Sequence, residues 1–139
     1  MKFFIFSIAL LSFISLSAQD SWKVMHNGKT ILNTDVESVE KNTIEIKASE
    51  LKKKSYLCIS YNEAVKQGDW KRSIIVFDEK DNQLYKKENF TVKIENSILM
   101  GLFNKSKVLK IYTTSLPKDP KLAAAVRIRR VHLATIRML

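Results

Sequence analysis

A chain of 139 residues carrying 24 Lys+Arg against 14 Asp+Glu, a formal net charge of +10, has the size of one ordinary domain and the charge of a protein suited to anionic surroundings. Its hydrophobic fraction of 45% can fill a real core, which excludes a disordered polyelectrolyte, and only 3 glycines leave little latitude for loops that cradle phosphates. A single cysteine, Cys58, excludes an internal disulfide.

In chain order, residues 1–18 read as a secretory signal peptide. Lys2 leads, Phe3 to Leu16 is mostly apolar, and Ser17-Ala18 supplies the small residues after which a signal peptidase cuts. That apolar run is too short to span a bilayer comfortably, and no later stretch approaches the necessary length. The expectation is an exported product, 19–139, a single β-rich domain without a membrane span, in the periplasm or secreted. The short, phenylalanine-rich leader is of bacterial type, and no cysteine follows Ala18 or Gln19 to take a lipid anchor.

Asn27-Gly28, between Trp22–His26 and Lys29–Asn33, predicts a type I′ hairpin, because both turn residues must accept positive φ. In an uninterrupted register His26 faces Lys29 and Val24 faces Ile31, with Trp22, Val24 and Ile31 on one face and Met25 and Leu32 on the other. Ile44 and Ile46 alternate with Glu45 and Lys47, a strand with one wet face, and Ser49–Lys52 fits a single helical turn. Ser55–Tyr61 carries apolar or small groups on both sides, as in the middle of a packed sheet, with Cys58 as a small buried hydrophobe. Asn62–Asp69 reads as a loop leading through Trp70 into a central strand, Lys71–Phe77. Asp78–Gln83 then turns the chain back into Leu84–Lys87, with Asn82 as the residue expected at positive φ.

Phe90, Val92 and Ile94 alternate with Thr91, Lys93 and Glu95, giving a strand with one core face. Asn96 suits the N-cap of a short helix near 96–104, in which Ile98 pairs with Leu102 and Leu99 with Phe103. Lys107–Thr113 returns to strand, and Asp119-Pro120 opens a brief helical turn through Ala124. In the last segment, 125–137, Val126 and Ile128 keep one alternation while Val131 and Leu133 keep the opposite one. A bulge at Arg129-Arg130 within a continuous strand turns both pairs inward and gathers Arg127, Arg129, Arg130 and His132 on the wet side. About eight strands and one short helix predict a mainly β fold, a single-domain antiparallel β-sandwich or flattened barrel.

Guanidinium groups grip phosphate or carboxylate bidentately, so Arg127, Arg129 and Arg130, with His132, form the first candidate site. Its expected partner is an anionic polysaccharide, a glycolipid or an envelope protein; the plain counterpart is a solvated strand face paired with acids on its neighbours. Trp70, at a loop-to-strand junction beside Asp69 and Lys71, is the aromatic most expected to be exposed and a candidate ligand platform. The chain has no Gly-x-Ser-x-Gly elbow and no His-Glu-x-x-His, and His26, His132, Cys58 and Met25 form no close-spaced ligand motif. No catalytic residue, metal or cofactor is therefore assigned, and specific nucleic-acid binding is not expected. A noncatalytic binding module is the leading reading. Its rivals are a cell-envelope enzyme acting on glycan or lipid near Trp70 and Asp78, and a structural protein that pairs through a sheet edge.

The tail Ser115-Leu-Pro-Lys-Asp-Pro-Lys-Leu122 and Val126-Arg-Ile-Arg-Arg-Val-His-Leu133, with the opening Ser21-Trp-Lys-Val24, resembles a group of small exported bacterial proteins of uncharacterised function. The resemblance covers most of 19–139. It implies an exported single domain and carries no activity, cofactor or site residue.

Overall fold

The computed structural model describes residues 19–139, and the expected leader lies outside the described residues. Asn27 and Gly28 take φ of 52° and 79°, and the turn they make joins β1 (Ser21–His26) to β2 (Lys29–Thr34) with His26 opposite Lys29. Beyond that pair the register departs from the expected one: Met25 faces Thr30 and Val24 faces Leu32, leaving Ile31 as the extra residue of a bulge. The bulge lets two consecutive apolar residues, Ile31 and Leu32, both lean on the core, which a straight strand forbids.

β1 also pairs with β4 (Tyr56–Asn62), and β4 with β7 (Thr91–Glu95), completing a 4-stranded antiparallel sheet in the order β2-β1-β4-β7. The second sheet has 5 strands: β3 (Thr43–Ile46), β9 (Val131–Met138), β8 (Val108–Pro117), β5 (Trp70–Phe77) and β6 (Gln83–Glu88), in that order. Only β3 against β9 runs parallel, among the described residues. The fold is a mainly β sandwich of separate sheets, not a closed barrel. Val24, Leu57, Ile59, Val92 and Ile94 of the first sheet meet Ile74, Val76, Leu109, Ile111 and Ile136 of the second, all essentially without exposure. β4 and β5 are interior strands, as their two-sided apolar character predicts.

Ala48–Lys52 forms the expected single turn and buries Leu51. α1 (Asn96–Lys105) buries Leu99, Leu102 and Phe103, whereas Ile98, expected to pair with Leu102, is 47% exposed. Asn96 is the first helical residue and not the cap, because its buried side chain is bound elsewhere. α2 (Pro120–Ala125) starts as expected, with the Asp119 carboxylate accepting from the Lys121 N–H at 3.0 Å. In the turn before β6, Asp81 and not Asn82 takes the positive φ, 61°. The Asp78 carboxylate decides this by accepting from the Asn82 amide at 3.0 Å and from the backbone N–H groups of Asn82 and Lys80 at 2.8 and 2.9 Å. Those bonds, Asn82's side chain first, hold the Asp78 carboxyl below its ordinary range.

The final segment differs most from expectation. Residues 126–130 are not strand, β9 begins at Val131, and Val126 and Ile128, expected inside, are 36% and 52% exposed. The bulge lies further on: Ile111 faces Ala134 and Tyr112 faces His132, so Leu133 is the extra residue. At that position Leu133, Ala134 and Ile136 all reach the core, and the Leu133 carbonyl accepts the Trp22 indole N–H across the sandwich at 2.9 Å.

Candidate functional site

The expected row of outward cations does not form. His132 is only 3% exposed; its ring meets the Thr135 hydroxyl at 2.8 Å and packs edge-on against Tyr112. Arg130 lies over the rings of Phe77 and Tyr112, at 4.7 and 4.4 Å from their centroids, and approaches Asp81 at 3.8 Å. Arg129 pairs with Glu37 at 2.9 Å, and Glu37 also accepts the His132 backbone N–H at 3.1 Å. Arg129 and Arg130 thus fasten residues 126–130 across the outer face of the second sheet, where Arg127 is exposed and has no ion pair among the described residues.

Trp70, the remaining candidate, opens β5 opposite Pro117 at one end of the sandwich and is half-buried. Its backbone N–H donates to the Gln67 carbonyl at 3.1 Å, and the Lys118 N–H donates to the Asp69 carbonyl at 2.8 Å, so the loop before β5 and the end of β8 are tied together around it. Between Trp70, Tyr61 and Phe90 lies a hollow of about 440 Å³ that Asn62, Glu63, Lys66 and Lys118 also line. Phe90 was expected in the core by alternation. It precedes β7, where the Asn89 side chain accepts its N–H at 2.8 Å, and it is 40% exposed. The Phe90 carbonyl accepts the Tyr61 N–H at 2.8 Å, which sets the two residues side by side at the hollow. Lys66 and Lys118 are exposed and have no ion-pair partner among the described residues.

Behind this wall a charged cluster bridges the sheets. Arg72 of β5 pairs with Glu63 at 2.9 Å, with both side chains under one-tenth exposed; it donates to Thr113 at 3.1 Å and covers the Tyr61 ring at 4.0 Å. Tyr61 in turn donates to Asp20 at 2.7 Å and stacks on Trp22, and Asp20 accepts the Ala64 N–H at 2.9 Å. Burial, and then the bond to Asp20, push the Tyr61 phenol far above its ordinary range. Glu63, which lines the hollow, and Asp20 are therefore bound internally, whereas Asp69 and Asp119 on the far side of Trp70 have no ion pair among the described residues. Sequence reasoning missed Arg72, Glu63, Lys66 and Lys118: a loop lysine carries no periodic signal, and which acid meets which arginine is decided by pairing.

A larger groove, about 740 Å³, runs along Lys52–Lys54, Tyr56 and the start of α1. Its Asn96 is fully engaged: the carboxamide oxygen with His26 at 2.8 Å, the nitrogen with Asn27 at 2.9 Å and the Lys53 carbonyl at 2.8 Å. Lys53 pairs with Glu50 at 3.0 Å. Comparison with protein-family models, curated proteins and solved structures finds no match, so the site is read from its own chemistry.

Proposed function

We propose that residues 19–139 are an exported, noncatalytic binding module that takes its ligand in the hollow beside Trp70. The observation that carries this reading is an aromatic-walled concavity whose lysines, Lys66 and Lys118, have no ion-pair partner among the described residues, while Glu63, the acid that lines it, is held by Arg72. With Glu63 held by Arg72 and Asp20 held by Tyr61, neither carboxylate is placed to exchange protons with a ligand, which favours binding over catalysis. Pairing through a sheet edge is less favoured by the borders: β2 and β6 carry bulges, β7 presents Lys93, and β3 has only 4 residues. Export rests on the character of residues 1–18 and on the resemblance of the opening and tail to small exported bacterial proteins. An anionic envelope component remains the partner that the charge supports best.

Amide chemical-shift mapping tests the assignment. Acidic polysaccharide and phosphatidylglycerol vesicles are titrated separately into the labelled protein. Shifts grouped at Tyr61–Trp70, Phe90 and Lys118 are expected. Shifts grouped at Arg127–Arg130 would move the site to the basic segment, and no shift with either probe would remove the binding-module reading.

A further inference from the structure

We infer that the ligand of the Trp70 hollow is a carboxylate-bearing saccharide chain; this rests on the reading of that hollow as the binding site. Trp70 and Phe90 offer apolar ring surface suited to the C–H face of a pyranose, with Tyr61 buried behind them under Arg72, and about 440 Å³ is within the range of small-ligand sites. Asn62 and Gln67, both exposed at the mouth, offer amide donors and acceptors to ring hydroxyls. Lys66 and Lys118 add unpaired ammonium groups that a neutral sugar would leave idle and that a carboxylate would engage in charge-assisted hydrogen bonds. A purely apolar occupant would strand both the amides and the lysines.

Trp70 and Lys118 also line an adjoining hollow of about 510 Å³ that is walled by Pro117, Leu122 and Val126 and carries the carboxylates of Asp69 and Asp119. Trp70 therefore stands between two concavities and not at the bottom of one. That arrangement suits a ligand of several rings lying across the indole, with carboxylates turned toward Lys66 and Lys118 and hydroxyls donating to Asp69 and Asp119, and it predicts affinity that rises with chain length.

Isothermal titration of the protein expressed from its full sequence tests this with a galacturonic acid dimer, the hexamer, the methyl-esterified hexamer and phosphatidylglycerol vesicles. The acid hexamer is expected to bind more tightly than the dimer, and at least about fivefold more tightly than its neutral ester. Trp70→Ala should weaken the hexamer about tenfold. Phe90→Ala, at an exposed position, should weaken it in the same direction and separates loss of contact from loss of fold. The Lys66→Ala/Lys118→Ala double variant should bind about fivefold less and lose most of the salt dependence, while Arg127→Ala should bind unchanged. Equal binding of acid and ester, with the double variant unaffected, overturns the carboxylate. Vesicle binding without hexamer binding overturns the saccharide, and if the shift map still centres on Trp70 the site itself stands. Hexamer binding lost in Arg127→Ala and kept in Trp70→Ala overturns both the ligand and the site.

Discussion

His26 and His132 are both buried, and their surroundings treat the imidazole differently. His26 meets Asn96, which is tied through Asn27 to Glu50, so the hairpin turn, the Ala48–Lys52 turn and the start of α1 share one satisfied network. His132 has one ring nitrogen against Thr135 and the other, Nδ1, without a partner among the described residues. Burial depresses its pKa below 6.5; Lys110 pushes the same way and the Glu37 carboxylate opposes. In the unfolded chain the ring takes up its proton near 6.5, whereas in the fold it does so only at lower pH, so the unfolded state binds more protons as the solution acidifies. The stability this group contributes is complete above that value and is lost as pH falls from there through the lower folded pKa. Urea unfolding from about pH 7.5 to about pH 5.5 should show the decline, and His132→Phe, which keeps the edge-on contact with Tyr112, should flatten part of it. Parallel profiles for the two proteins would contradict the assignment.

Among the elements, the segment 126–130 shows how a basic run can be structural. Ile75 and Phe77 alternate with the core residues Ile74 and Val76 and so point away from the core, yet they are 6% and 9% exposed. Arg130 helps close that face by stacking on Phe77 and Tyr112, with Asp81 anchoring its guanidinium. Arg130→Ala should cost about 1–2 kcal/mol and speed amide exchange over 126–132. Arg130→Lys should recover little of this, since an ammonium cannot lie flat on both rings, and Arg127→Ala should stay within about 0.5 kcal/mol. Chemical denaturation of the three variants checks the ranking.

At the scale of the whole molecule, the Arg72 cluster clamps one end of the sandwich. It joins β5 and β8 of one sheet to Tyr61 of the other and, through Glu63, to the loop that forms the Trp70 hollow. Removing one partner leaves a buried charge alone, so Arg72→Met should destabilise the protein by about 3–5 kcal/mol. The Arg72→Met/Glu63→Gln double variant should be more stable than Arg72→Met, because the stranded carboxylate is gone. Additive losses in a double-mutant cycle would mean that the pair is not coupled.

The local geometry is written in the chain: Asn27-Gly28 makes its hairpin, Asp119-Pro120 opens α2, and the two-sided apolar runs of β4 and β5 take interior places. These follow from backbone preference and periodicity, which neighbouring residues already contain. The bulges fall at Ile31 and Leu133 and not at Arg129-Arg130, because a bulge is placed by the partner strand and by what the opposite sheet needs filled. Strand pairing across the fold also sets Phe90 and Trp70 around a hollow with Lys66 and Lys118, and ties Arg129 and Arg130 to acids far away in the chain. Such juxtapositions depend on which strands pair across long separations, and no spacing along the chain records that.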